Sequence, residues 1–159
     1  MDFLNKLFGN QENDPENYFE QGKKLILKGD LEEGIKLLRK AIGLYPHIIN
    51  RIYRVADKLH AGARSKNKAA GGNIYFSDGI GELEAAIAIM ELLSEFESDK
   101  ADVWFKLGVL YDNHCCFDKA VKAYERTVNL DPEGPDGADA RQNLGILYSN
   151  KGRDISGIK

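Results

Sequence analysis

Small residues recur in this chain at fixed distances, and this repeat limits the available folds more than any other feature. Gly22, Ala56 and Gly108 all lie in apolar segments with helical spacing, and they are 34 and 52 residues apart, where 52 is 34 plus 18. A period of about 34 residues is typical of stacked helix-turn-helix units, none of which buries its apolar face alone. The same two intervals separate the members of three further series: Gly34, Ala86 and Ala120; Ala41, Leu93 and Thr127; Pro46, Ser98 and Pro132.

The best-preserved copy runs from Ala101 to Gly134. The residues at its characteristic positions are Trp104, Leu107, Gly108, Tyr111, Ala120, Tyr124 and Pro132. In these positions the chain resembles a tetratricopeptide-repeat (TPR) protein, with Thr127 in place of the usual alanine. The resemblance implies an all-α fold, a right-handed superhelical array of antiparallel helix pairs with about three and a half repeats. We call the first helix of each repeat helix A and the second helix B.

The other copies keep the same register less closely. The second copy is longer by an insertion of 18 residues, and the last copy stops before a full helix B. Leu144, Gly145 and Tyr148 mark this last copy, because they stand where the pattern has leucine, glycine and tyrosine. We therefore predict an N-terminal extension, 1–14, and a TPR domain, 15–159, with repeats at 15–48, 49–100, 101–134 and, in part, 138–159.

A glycine inside a helix, such as Gly108, costs about 1 kcal/mol relative to alanine. We interpret Gly108 and its counterparts as points where paired helices approach too closely for a larger side chain. Trp104 and Tyr111 are expected to fill the space on either side of Gly108, so that packing offsets the cost.

Local signals agree with helix pairs in the first repeat. Asp14 is a helix N-cap followed by Pro15 at the first helical position. Gly29 is expected to end this helix, and Asp30 with Glu33 forms a capping-box-like pair that begins the next one.

The insertion lies between Ala56 and Ala86. Its first part is expected to extend helix A by a few turns, and a new helix is expected over Ile80–Phe96. Two interpretations stay open, a functional loop and a tolerated surface insertion without a role. The apolar residues Ile74, Tyr75 and Phe76 favour a segment that packs on the array or contacts a partner.

Three basic residues of the insertion, Arg64, Lys66 and Lys68, form a local basic patch. The patch is able to meet an acidic partner or RNA, but a solvated charged loop is the favoured interpretation.

Composition restricts the classes of function. Lys and Arg number 22 against 25 acidic residues, a formal charge of -3, which disfavours a nucleic-acid binder. Two cysteines and three histidines supply neither a disulfide framework nor a zinc-ligand spacing, so we predict no metal and no cofactor. We also expect a cytoplasmic protein, since neither a signal peptide nor a transmembrane segment is evident.

Catalysis has no evident site in the sequence. His114, Cys115 and Cys116 are adjacent in the turn of the third repeat, but a structural zinc site needs four ligands. No paired-carboxylate or Ser/His/Asp pattern stands out, so we predict that the chain is not an enzyme.

The N-terminal residues Phe3, Leu4, Leu7 and Phe8 form a short apolar stripe at helical spacing. Three interpretations are open for such a segment: it lies on a membrane, it fills the groove of the array, or it stays disordered. Docking against protein is favoured, because stable membrane anchoring needs more apolar area or basic charge.

The TPR resemblance implies that helices A line a concave groove for an extended peptide or a helix of a partner. The chain departs from relatives that clamp the C-terminal carboxylate of heat-shock chaperones. Arg54 replaces an asparagine, Asp102 replaces a lysine, and only Lys106 keeps a positive charge, at the position where an arginine is expected. The groove positions are Phe19, Lys23, Tyr53, Arg54, Asp57, His60, Phe105, Lys106, Val109, Asp112, Gln142 and Asn143.

The predicted function is therefore a non-catalytic scaffold that binds a protein segment in this groove. The alternative is a homo-oligomerising array, such as a homodimer joined through the C-terminal helix, because that helix is apolar on more than one side. A further copy, the N-terminal stripe or additional repeats would cover it. A third interpretation is an enzyme-associated or metal-dependent regulatory module. The proposed self-association residues are Leu144, Ile146, Leu147 and Tyr148.

Overall fold

The computed structural model describes residues 14–69 and 79–155, and within these ranges every regular element is a helix. The prediction of an all-α fold is therefore confirmed. The expectations for the Phe3 to Phe8 stripe and for Ile74 to Phe76 lie outside the described residues. The helices are α1 (Pro15–Leu27), α2 (Leu31–Leu44), α3 (Ile49–Ala69), α4 (Ile80–Phe96), α5 (Ala101–Asn113), α6 (Phe117–Leu130) and α7 (Pro135–Ile155), with a 3₁₀ turn at Pro46–Ile48.

The chain divides into two compact units, Met1–Leu92 and Leu93–Lys159. In the N-terminal unit α1 packs against α2, and the 3₁₀ turn contacts both α2 and α3. In the C-terminal unit α6 packs against both α5 and α7. Each unit has an apolar core, which includes Leu38, Ile42 and Ile52 in the first and Val103 and Tyr124 in the second.

The predicted helix signals of the first repeat are present in the structure. The Asp14 carboxylate accepts a hydrogen bond from the Glu16 N–H at 2.9 Å. Gly29 has a φ of +90°, the left-handed conformation that ends a helix at low cost in glycine. The Asp30 carboxylate accepts from the Glu33 N–H at 3.4 Å and so caps α2.

Helix α3 has 21 residues, whereas α1 and α5 have 13 each, so the first part of the insertion extends helix A as predicted. The extension packs against the beginning of α4. Ala63 is 1% exposed, and a Cβ atom added to Gly79 would lie 2.8 Å from the Ala63 carbonyl oxygen. Lys66 Nζ also lies 3.1 Å from the Glu82 carboxylate. The added turns are therefore held by contacts.

Helix α7 begins at Pro135, three residues before the predicted start at Ala138. The Asp131 carboxylate accepts hydrogen bonds from the Asp136 N–H at 3.1 Å and the Gly137 N–H at 3.3 Å. The first turn of α7 is thus capped by a side chain that lies further before the helix than a usual N-cap residue does. Pro135 suits the first helical position because proline has no N–H to satisfy.

Gly108 faces an aromatic ring. A Cβ atom added there would lie 2.7 Å from two ring carbons of Tyr124, which is on α6 and 1% exposed. The expectation of close packing is confirmed at this position. Trp104, one of the two residues expected to fill the space on either side, is half-buried and donates its indole N–H to the Ser98 carbonyl oxygen at 2.9 Å.

Candidate functional site

A cleft of about 510 Å³ lies between α1 and α3 in the N-terminal unit. Its size falls in the range of ligand pockets, and its lining mixes aliphatic side chains with charges of both signs. The beginning of α4 contributes one carboxylate. The lining residues are Phe19, Glu20, Lys23, Leu27, Arg51, Arg54, Val55, Lys58, Leu59 and Glu82. We call this the α1–α3 cleft.

Arg51 covers the buried aromatic ring at one end of this cleft. Phe19 is 3% exposed, and the guanidinium carbon of Arg51 lies 4.3 Å from the centre of its ring, a cation–π contact. Arg51 forms a two-pronged ion pair with Glu16, in which Nη2 lies 2.8 Å from Oε1. A further contact of 3.4 Å joins it to Glu20. These hydrogen bonds from Arg51 lower the pKa of the Glu16 carboxyl, and they fix the guanidinium over the ring.

Two other cations of the cleft, Arg54 and Lys58, are not held in this way. Lys23 pairs with Glu20, but among the described residues neither Arg54 nor Lys58 has an ion-pair partner, and both are exposed. Leu27 lies beside them and is 62% exposed. The cleft therefore presents two uncompensated cations next to exposed aliphatic surface.

The predicted groove residues of this unit fall into two groups. Phe19, Lys23 and Arg54 line the cleft, whereas the half-buried Tyr53 and His60 and the exposed Asp57 lie elsewhere on α3. The basic residues Arg51 and Lys58 would have been found from their spacing with Arg54, because positions three and four residues apart share a helix face. The lining residues that the repeat register did not indicate are Glu20, Leu27, Arg51, Val55, Lys58, Leu59 and Glu82.

In the C-terminal unit, two of the predicted groove residues, Phe105 and Asn143, contact Tyr124. The ring of Phe105 lies 5.9 Å from that of Tyr124 at an interplanar angle of 51°, and the Asn143 side chain hydrogen-bonds the Tyr124 hydroxyl. Burial raises the pKa of the Asp112 carboxyl. Lys106 and Val109 are half-buried, and Gln142 is exposed.

A second cleft, of about 540 Å³, lies in the C-terminal unit beside α7. Ile146 and Tyr148 are each 51% exposed, whereas Leu147 is 7% exposed and Leu144 is half-buried. The proposed self-association residues thus divide into outward and inward positions. The cleft is lined by Asp112, Cys115, Cys116, Phe117, Asp118, Lys119, Val121, Ile146, Leu147 and Tyr148.

Two family models, each described as Tetratricopeptide repeat, match the chain at residues 15–48 and 101–133. The chain is a tetratricopeptide-repeat protein. The matched segments contain α1 with α2 and α5 with α6, the pairs in which Gly22 and Gly108 are packed. Arrays of TPR units act as protein-interaction scaffolds, and the chain is of this kind.

Solved structures of MamA share the fold of this TPR protein. MamA from Desulfovibrio magneticus RS-1, from residue 41 to its end, is 23% identical over 89% of this chain and 68% of its own, with a TM-score of 0.51. A point mutant of MamA is 16% identical over 91% and 90%, with a TM-score of 0.59. The MamA RS-1 ArsTM double mutant is 23% identical over 94% and 72%, with a TM-score of 0.51. No curated protein matches the sequence.

The turn between α5 and α6 holds both cysteines of the TPR protein. Cys115 is exposed with a φ of +57°, and the Cys116 sulfur lies 3.2 Å from Nδ1 of His114. Across residues 14–69 and 79–155, no three His, Cys, Asp or Glu side chains are grouped to hold a metal ion. No described helix combines the length and apolarity needed to span a bilayer.

Proposed function

We propose that this TPR protein is a non-catalytic scaffold that binds a peptide or helix of a partner protein through its helices A, which are α1, α3, α5 and α7. The α1–α3 cleft is the observation that carries the proposal. It is concave, it contains exposed aliphatic surface, and two of its cations, Arg54 and Lys58, have no ion-pair partner among the described residues.

The chemistry of this cleft suits a protein segment. Leu27 and the half-buried Val55 provide apolar contact area that desolvates a partner's side chain. Arg54 and Lys58 provide charges at the edge, which favour one orientation of the partner and raise its rate of association. The rigid Arg51–Phe19 contact supplies a preformed end of the site, so that less side-chain entropy is lost on binding.

The groove residues of the C-terminal unit extend the proposal to α5 and α7. Phe105 is held by its contact with Tyr124 and presents a half-buried ring, while Gln142 is exposed for hydrogen bonding. The proposed contacts of this unit are Phe105, Lys106, Val109, Asp112, Gln142 and Asn143.

The test compares proteins captured from a native lysate by the parent and by variants of equal stability. Replacing Leu27 with Asp, or Tyr53, Arg54 or Phe105 singly with Ala, should reduce recovery of the specific partner. Lys122→Ala on α6 is the matched control, because Lys122 is exposed and lies in neither cleft. If a partner is recovered equally by all of these variants, binding through the helices A is wrong.

Self-association through α7 is a second candidate, favoured by the half-exposed Ile146 and Tyr148 beside an apolar cleft. A two-fold dimer would bury the same face on both copies. Ile146→Glu should then shift the mass measured by light scattering toward the monomer. Leu147→Glu is unsuitable, because Leu147 is buried and its replacement would unfold the unit. A parent that stays monomeric at high concentration excludes this candidate.

A further inference from the structure

Helix α3 concentrates positive charge. It carries six Lys and Arg residues and one Asp, a formal charge of +5 in a chain whose total is -3. Four of the cations fall within an arc of about 100° on the helix, given 3.6 residues per turn. We call Arg51, Arg54, Lys58 and Lys68 the α3 basic stripe.

The insertion lengthens this stripe beyond the α1–α3 cleft. Helix α3 exceeds α1 and α5 by eight residues, which add about 12 Å at 1.5 Å per residue. Lys68 therefore lies about 15 Å along the helix from Lys58. The contact between Ala63 and Gly79 holds the added turns in place. The exposed residues Ala61 and Ser65 lie between Lys58 and Lys68 and are small enough to let a partner approach the backbone.

Helix stability does not account for this distribution of charge. Cations near the C-terminus, such as Lys66 and Lys68, are favoured by the helix dipole, and Lys66 also pairs with Glu82. Arg51 lies in the first turn, where the dipole disfavours cations, and Arg54 lies in the second turn, where the dipole no longer favours or disfavours a charge appreciably. Arg51 is compensated by Glu16 and Glu20, but Arg54 has no ion-pair partner among the described residues. The basic patch, expected in a solvated loop, is part of a packed helix.

We propose that the α3 basic stripe binds an acidic amphipathic segment of the partner, and that the insertion serves to lengthen the stripe for this purpose. This inference rests on the proposed function and names the partner's chemistry at the same cleft. Apolar residues of the segment contact Leu27 and Val55. Its carboxylates pair with Arg54 and Lys58 in the cleft and with Lys68 on the extension.

Two observations favour an acidic protein over RNA or another phosphate polymer. The Phe19 ring is buried under Arg51, so the cleft offers no exposed aromatic surface for base stacking. Glu20 and Glu82 line the same cleft, so its cations are interspersed with carboxylates and do not form an unbroken track for a phosphate backbone. Discrete carboxylates beside apolar residues match this mixed lining better.

The test uses a fluorescently labelled amphipathic peptide of about 18 residues, with leucines on one face and glutamates on the other, a length that matches the stripe at 1.5 Å per residue. A second peptide has glutamine at every glutamate, and an oligouridylate is the phosphate polymer. We expect the glutamate peptide to bind at least about tenfold more tightly than the glutamine peptide, with affinity that falls as salt is added. No binding of the glutamate peptide, equal binding of the two peptides, or tighter binding of the RNA would overturn the inference.

Variants of the full chain locate the contact. Arg54→Glu with Lys58→Glu should abolish binding of the glutamate peptide, and Lys68→Glu should weaken it by roughly threefold to tenfold. Lys122→Glu makes the same charge change as Lys68→Glu at an exposed position on a different helix, α6, and should leave the affinity unchanged. Circular dichroism verifies that each variant keeps its helices.

The two proposals fail in different ways. In one outcome, Leu27→Asp and the Arg54 and Lys58 changes abolish binding, but Lys68→Glu has no more effect than Lys122→Glu. The cleft then binds a partner, and the proposal that the extension contributes to binding is wrong. If the peptide binds and neither Leu27→Asp nor the Arg54 and Lys58 changes affect it, both the cleft site and the stripe are wrong.

Discussion

A Cβ atom added to Gly22 would lie 2.9 Å from the carbonyl oxygen of Gly34, and one added to Gly34 would lie 3.0 Å from that of Gly22. Helices α1 and α2 thus meet backbone to backbone at this pair. A backbone atom cannot rotate away as a side chain does, so this contact tolerates added volume poorly. The glycine at the corresponding position of the last repeat, Gly145, has no atom of the described residues in van der Waals contact with its Cβ position.

Gly22→Ala is expected to lower the free energy of unfolding by about 1 to 3 kcal/mol, because the added methyl group displaces α2. Gly43→Ala is the matched control in the same unit, since Gly43 is exposed on α2 and a Cβ atom there meets nothing within 4 Å. The control should be neutral or more stable by up to about 1 kcal/mol. Urea unfolding followed by circular dichroism measures both, and equal effects would refute the close contact.

Gly108→Leu is expected to destabilise the C-terminal unit by about 1 to 3 kcal/mol or more, because the buried Tyr124 ring occupies the space that the new side chain needs. Gly145→Ala should instead stabilise α7 by up to about 1 kcal/mol through helix propensity alone. Thermal unfolding of the two variants gives the comparison. A Gly108→Leu protein that melts with the parent would show that the ring is free to move.

Asp131→Ala should cost about 1 kcal/mol, because two N–H groups in the first turn of α7 lose their acceptor. Asp131→Asn keeps an acceptor oxygen and should retain much of the stability. Glu133→Ala changes the same charge at an exposed position nearby and is the control. Hydrogen exchange of the amides in the first turn of α7 should accelerate in Asp131→Ala but not in Glu133→Ala. Similar exchange rates in the two variants would argue against the cap.

Asp112→Asn should stabilise the protein at neutral pH. Burial raises the pKa of the Asp112 carboxyl in the folded state, so ionisation costs more there than in the unfolded chain. The penalty is present when the carboxyl is ionised, and it disappears as the pH falls through the raised pKa toward the ordinary value of about 3.9. The stability advantage of the variant should therefore shrink with acidification. Urea unfolding at a series of pH values measures it, and a constant difference would contradict the burial effect.

The sequence determined where the helices lie and how they repeat. Asp14, Gly29 and Asp30 act on the backbone within a few residues of themselves, so their effects are readable locally. The 34-residue register likewise placed Gly22 and Gly108 at close helix contacts, because a repeated apolar pattern reports which face each helix buries. The extension of α3 by a few turns and the start of α4 at Ile80 were also predicted from the sequence.

The tertiary structure decided which neighbours these faces meet. A periodic pattern places Phe19 and Arg51 on their own helices, but only the packing of α1 beside α3 brings the guanidinium over the ring and buries Phe19. The sequence likewise places a large residue, Tyr124, at a characteristic position of its repeat, but its contact with Gly108 depends on how α6 crosses α5. Helical periodicity is set by hydrogen bonds between residues four apart, whereas these contacts join residues distant in sequence, and their partners are selected by shape and charge across the fold.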